Sequence, residues 1–231
     1  MEFLRNQKNE HACVRSPRNI QFSGVDWSFK TSTGPAGPGN NIYSDSSQNV
    51  WVDNAGYLHM RIVQDGANKW NCSNIISELS FGFGTYRFRI GQIGTMNPNA
   101  VLGLITWSDD PAYNNREIDI EISQWSDPTN ANAQFVVQPG DVPGTNKFRF
   151  NVDNGLINST HEFCWQTNAI RFESRAAGTL LAQAAVTQGI PQPGGENVQI
   201  NLWLHNALPP SDGQPVEMVI ESFEFIPPTG P

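Results

Sequence analysis

The 231-residue chain is short of basic residues. Fourteen Lys and Arg stand against twenty-two Asp and Glu, and only four of the fourteen are Lys. The net charge of −8, with no basic cluster, argues against nucleic acid or an anionic membrane as partner, whereas a neutral polysaccharide fits that balance. No apolar run approaches the ~18 residues needed to span a bilayer. The four histidines (His11, His59, His161 and His205) lie far apart, without HxH or HxxxH spacing, so a transition-metal site is not expected. The three cysteines, Cys13, Cys72 and Cys164, allow at most one disulfide within the chain and read as buried thiols. The stretch MEFLRNQKNEHACVRSPR has no apolar h-region. The expectation is a secreted or periplasmic monomer whose export signal lies outside these residues, with 1–17 as a mobile tail and 18–231 as one domain.

Sustained helical periodicity is also missing; only LLAQAAVTQG (180–189) reads as a short turn of helix. In its place come short runs rich in Val, Ile, Phe, Tyr and Trp that alternate with polar residues: YLHMRIV, TYRFRI, VLGLITW, EIDIEIS, AQFVVQP, KFRFNVD, AIRFES, VQINLWLHN and VEMVIESFEF. Gly and Pro punctuate them, and no βαβ rhythm appears. This pattern predicts an all-β domain, an antiparallel β-sandwich or jelly roll.

The run EIDIE (117–121) alternates carboxylate and isoleucine. A strand sends successive side chains to opposite faces, so Glu117, Asp119 and Glu121 share one face while Ile118, Ile120 and Ile122 share the other. Such a row reads either as a solvated face countered by Arg89 or Arg116, or as a catalytic set. Glycoside hydrolysis needs two carboxyl groups, one protonated to release the leaving oxygen and one ionised to attack or stabilise the sugar cation. A third nearby carboxylate biases where the protons sit. Residues four apart on a strand are about 13 Å apart at Cα, so spacing alone does not choose between retaining and inverting outcomes.

EIDIE resembles the ExDxE signature of glycoside hydrolase family 16. FGFGTYRFRI (81–90) is similar to the strand that precedes that motif, NVWVDNAGYLHMRI (49–62) to the family's early hairpin, AQFVVQP (133–139) to a cleft strand, and NLW (201–203) to a late strand whose Trp faces substrate. The resemblance covers roughly residues 19–227. It implies a concanavalin A-like jelly roll and a retaining endo-β-glucanase, with Glu117 as nucleophile, Glu121 as general acid/base and Asp119 tuning their protonation. No cofactor is required; such sandwiches often carry a structural Ca²⁺, whose ligands the sequence does not indicate. The regular ExDxE form, without a bulge residue, tilts the substrate towards β-1,3-1,4-glucan. The chain departs from lichenases at Asn115 and Arg116, where they carry Trp and Asp, and at Asn74 and Ile76, where they carry sugar-contacting Glu and Arg. Arg87 likewise stands where the family often has Glu.

Further candidates follow from parity. Asn201, Trp203 and His205 fall on one face of VQINLWLHN, where a Trp can stack on a pyranose ring. Gln134 and Gln138 offer amides to neutral hydroxyls. Trp125 shares parity with the carboxylates if their strand runs that far, and Trp107 lines either cleft or core. Transglycosylation, a non-catalytic lectin-like module, and activity on xyloglucan, β-1,3-glucan or a galactan are the competing readings.

Overall fold

The computed structural model describes residues 13–93, 96–140, 146–152 and 157–228. Within them lie β1 (Cys13–Phe22), β2 (Val25–Ser32), β3 (Ile42–Tyr43), β4 (Val50–Val52), β5 (Leu58–Gln64), β6 (Trp70–Ser77), β7 (Gly84–Ile93) and β8 (Ala100–Trp107). The series continues with β9 (Ile118–Ile122), β10 (Ala133–Val137), β11 (Lys147–Phe150), β12 (Ile157–Trp165), β13 (Ile170–Ala176), β14 (Thr179–Val186), β15 (Asn197–Leu204) and β16 (Val216–Ile226). The strands hydrogen-bond in the order β11-β10-β9-β8-β15-β6-β5-β16-β7-β12-β13-β14, with β2 and β1 extending from β6. All strand pairs are antiparallel except β3 with β6. A short β5–β6 contact, Val63 to Asn71 and Gln64 to Trp70, joins the two halves, so the sheet folds back on itself as a jelly-roll sandwich.

Alternation explains the core. From the first half, Ile118, Ile120, Ile122, Leu102, Leu104, Phe135, Ile200 and Leu202 point inward; from the second, Met60, Tyr86, Phe88, Phe163, Phe172 and Ile220 meet them. Aromatic pairs bridge the layers: Phe135 of β10 stacks on Phe172 of β13 at 5.0 Å, and Trp27 of β2 meets Phe223 of β16 edge-on at 5.5 Å. Each such pair contributes about 0.5–1.5 kcal/mol beyond the area it buries.

Two sequence expectations are corrected. Residues 13–17, assigned above to a mobile tail, belong to β1, which pairs with β2 from Cys13↔Ser32 to Phe22↔Val25. Residues 1–12 lie outside the described residues. The stretch expected to make a turn of helix is instead β14 and the residues just after it. Ala177 (φ 46°) and Gly178 (φ 82°) both take positive φ, the geometry of a two-residue type I′ hairpin, and Ala176↔Thr179 closes the β13–β14 ladder around them. That turn overrides the helix propensity of the Leu and Ala residues. Cys72 and Cys164 are free thiols; burial pushes the Cys72 pKa up to about 12, leaving it inert.

The core also holds one histidine. His161 is fully buried between the hydroxyls of Ser174 (2.8 Å) and Ser159 (3.0 Å), and burial lowers its pKa to about 4. The unfolded chain binds a proton at this site below about pH 6.5 and the native chain only below about 4, so stability is lost as pH falls through that window, by about 3 kcal/mol in total. His161→Phe should be about 1–3 kcal/mol less stable at pH 7, because two buried hydroxyls lose their partner. It should also lose less stability than wild type between pH 7 and 4, as read from urea unfolding at several pH values.

Candidate active site

The carboxylate row emerges from β9 as its alternation requires. Ile118, Ile120 and Ile122 are buried in the core, and Asp119 and Glu121 leave on the opposite face. Glu117 precedes the strand in extended geometry (φ −83°, ψ 119°), and its carbonyl accepts the Gln138 N–H at 3.1 Å, so the β9–β10 ladder carries on past the strand's end. Asp119 is buried, while Glu117 and Glu121 remain partly open to the cleft.

The register lines up neighbours across this face. Gln134 lies opposite Glu121 and donates its amide to Glu121 Oε2; Gln138 donates to Asp119 Oδ2 at 3.2 Å. On the other side Glu121 faces Gly103 of β8, Gly103 faces Asn201 of β15, and Asn201 faces Asn74 of β6. A Cβ on Gly103 would come within 2.4 Å of Asn201 Oδ1, so glycine here keeps room for the amide beside the carboxylates. Asn74 donates to Gln199 at 2.9 Å. The oxygens Gln134 Oε1, Asn201 Oδ1 and Asn74 Oδ1 are buried and find no donor among the described residues. These oxygens form the floor of the face beneath the carboxylates, with Asn74 fully buried and Asn201 and Gln134 nearly so.

Proton affinity is raised across the row. Burial, then the charge of Glu121, pushes Glu117 to about 8. Burial and both glutamates raise Asp119 well above the ordinary carboxylate range, against the Gln138 hydrogen bond. Burial raises Glu121 as well, but the Gln134 amide, Lys147 and Arg149 all oppose the shift. All three groups are raised, and they share protons as one coupled row.

The remaining candidates distribute unevenly. Trp203 and Asn201 share the cleft face of β15, and Trp203 packs under the loop at Gly39, where a Cβ would lie 2.5 Å from its ring. His205 departs from the shared strand face: β15 ends at Leu204, and His205 starts a turn in which its Nδ1 meets Ser126 Oγ at 3.1 Å. Trp125 does not extend the carboxylate face either, because β9 ends at Ile122 and Trp125 is left-handed (φ 49°). Its ring still lies beside the row, under the Arg149 guanidinium at 4.0 Å. Trp107 ends β8 with the parity of Gly103 and Ile105 and donates to Asp109 at 3.2 Å. Asn74, Gln199, Lys147 and Arg149 join the site although parity was not followed that far; KFRF alternates as plainly as EIDIE. Among the described residues, no group of three or more His, Cys, Asp or Glu could hold a metal ion.

Immediately before Glu117 the backbone is strained. Tyr113, Asn114, Asn115 and Arg116 are all left-handed, with φ of 53°, 51°, 63° and 53°, a conformation costing roughly 1–2 kcal/mol for each residue with a Cβ. Buried Arg116 pins this turn: it donates to Gln192 O at 2.8 Å and pairs with Asp110 at 2.9 Å, while its carbonyl accepts from Thr106 Oγ1 at 2.8 Å. Arg116→Ala should therefore cost about 2–3 kcal/mol of unfolding free energy in a denaturant titration. A loss below about 0.5 kcal/mol would mean the turn is held elsewhere.

Solved structures share this fold across nearly its whole length. The Bacillus licheniformis β-glucanase superposes with a TM-score of 0.65 at 21% identity, covering 93% of this chain and 97% of that one. A β-1,3-1,4-glucanase (lichenase) from a mouse hindgut metagenome gives 0.63 at 20%, covering 90% and 95%. An immunostimulatory antigen and pseudo β-1,3-glucanase of Mycobacterium tuberculosis gives 0.65 at 21%, covering 88% and 91%. No protein-family model matches the chain, and no curated protein matches its sequence.

Proposed function

We propose that this protein is a retaining endo-β-glucanase of glycoside hydrolase family 16 type, acting on a β-glucan and best suited to β-1,3-1,4-linked chains. The observation that carries this reading is the row of Glu117, Asp119 and Glu121 on an accessible sheet face, flanked by amide acceptors. The β-glucanases among the structures of like fold support it. A polymeric substrate of this kind also fits a secreted or periplasmic setting.

In this reading Glu117 attacks the anomeric carbon while Glu121 delivers a proton to the departing glycosidic oxygen, giving a covalent glycosyl-enzyme. Glu121 then takes a proton from water as that water displaces Glu117, and the anomeric configuration is retained. Asp119, seated between the two and hydrogen-bonded to Gln138, is placed to hold a proton close to both. The productive form has the proton on Glu121 and the charge on Glu117. Burial raises the proton affinity of both glutamates, so a proton is available to the pair at neutral pH.

A second reading has one observation in its favour. A Glu117 carboxyl that keeps its proton at neutral pH is a weak nucleophile but a good hydrogen-bond donor, as a glycan-binding module on this sheet would use.

Four outcomes decide. Turnover should appear on barley glucan or lichenan in a panel with laminarin, xyloglucan and agarose; binding without turnover on every member would favour the module. Product sizing with added oligosaccharide separates hydrolysis from transglycosylation. Glu117→Gln should cut the rate by roughly 10³-fold or more while leaving glycan affinity intact, and wild-type rates in that variant would remove Glu117 from the nucleophile role. Finally, the pH–rate profile should be bell-shaped with its alkaline limb near pH 8, where the pair loses its last shared proton. A rate still climbing above pH 9 would exclude Glu121 as the acid.

A further inference from the structure

Strand β11 alternates as Lys147, Phe148, Arg149, Phe150. The phenylalanines pack against the core, and Phe150 lies 4.5 Å from Phe135. Both cations therefore leave on the cleft face, and both are exposed. The register sets Arg149 opposite Gln134 and Lys147 opposite Val136, and on the next strand these residues face Glu121 and Asp119. With strands about 4.8 Å apart, the cations stand two strands, or about 10 Å of backbone, from the carboxylate row.

Arg15, Arg61, Arg87, Arg116 and Arg175 each pair with a carboxylate. Lys147 and Arg149 form no ion pair with any described residue, Glu121 included; Glu121 takes its hydrogen bond from the neutral Gln134 instead. Arg18, Lys69, Arg89 and Arg171 also make no ion pair with a described residue, so what distinguishes Lys147 and Arg149 is their place across β10 from the carboxylate row. A dedicated counterion for Glu121 would close to contact, and these two do not. Arg149 is nonetheless held in place, its guanidinium over the Trp125 ring at 4.0 Å. Stacking orders the group and leaves its N–H edge free to donate, an arrangement suited to a planar or tetrahedral oxyanion.

We propose that Lys147 and Arg149, with Trp125 beneath, form an anion subsite at the β11 end of the cleft, and that the glycan taken there bears a negatively charged substituent, a carboxylate or a sulfate ester, on a sugar beyond the one facing Glu121. The proposal rests on the cleft being a glycan site. It adds that the protein reads charge as well as linkage. The cation pair serves the charged part of the chain.

The test compares one glucan in three forms: unmodified barley glucan oligosaccharides, the same oligosaccharides partly oxidised to carboxylate at C6, and the same partly sulfated. Binding is measured by calorimetry, so the result does not depend on turnover. The wild-type protein should bind one anionic form roughly tenfold more tightly than the neutral one at low salt, and the better of the two anionic forms identifies the substituent. The advantage should shrink as salt is raised. It should disappear in the double variant K147Q/R149Q, in which affinity for the anionic form falls to that for the neutral form. Equal affinity for all three forms overturns the anion subsite while leaving the glycan cleft standing. Equal weakening of neutral and anionic binding in K147Q/R149Q overturns it too, because the pair would then be supporting Glu121 or the strand. No binding of any form overturns both readings.

Discussion

Everything at the site depends on the parity of β9. Ile118, Ile120 and Ile122 must enter the core, and each is essentially inaccessible there. A strand has a side-chain period of two, so burying those three forces Glu117, Asp119 and Glu121 onto the other face. A slip of one residue would put three carboxylates into the core and three isoleucines into the cleft, exchanging several kcal/mol of apolar burial for buried charge. The hydrophobic core thus fixes the chemistry without touching it. The same parity, passed from strand to strand by backbone pairing, brings Gln134, Gly103, Asn201 and Asn74 into line with Glu121.

Three carboxyl groups on one face form a cluster that cannot all be ionised, and its surroundings decide where the charge rests. Gln138 serves Asp119, while Gln134, Lys147 and Arg149 favour the anion at Glu121. Glu117 has no such help, and burial and the charge of Glu121 raise it to about 8. Stability and function pull in opposite directions here. Below about pH 8 the raised groups bind protons that the unfolded chain has released, so their contribution to stability declines as pH rises from the ordinary carboxylate range towards 8. His161 has the reverse dependence at lower pH. The fold is therefore loaded from both sides by groups that its core and its cleft treat differently.

The sequence revealed the sheet-borne part of this arrangement and little of the rest. Alternation located most of the strands and the carboxylate face, and set Gln134 and Asn201 on the face they occupy, because strand parity is a local property. The β14 strand was misread because Ala and Leu favour helix locally, while the Ala177–Gly178 turn and pairing with β13 decide the outcome. Trp125 and His205 were placed by extending strands past their ends. Both actually lie in turns with left-handed residues, Trp125 and Ser126 in one and Asn206 and Ala207 in the other. No alternation rule reaches into such turns. Arg149 was hidden differently: its strand was recognised, but its relation to Glu121 needs the pairing of three strands that are far apart in sequence.

Three left-handed segments border this face, at opposite ends of β9. One, at 113–116, leads into Glu117, and the other two, at 125–126 and 206–207, meet through Ser126 and His205 just past the ends of β9 and β15. Backbone strain of this kind persists only where surrounding contacts outweigh it, and here it concentrates at the ends of the cleft strands. The division of labour follows. The regular sheet carries the rigid face with Glu117, Asp119 and Glu121 in register. The strained ends carry the Arg116 anchor before Glu117 and the Trp125 ring under the Arg149 guanidinium. Asn115 and Arg116, where the chain departs from the lichenase pattern, belong to the first of these ends.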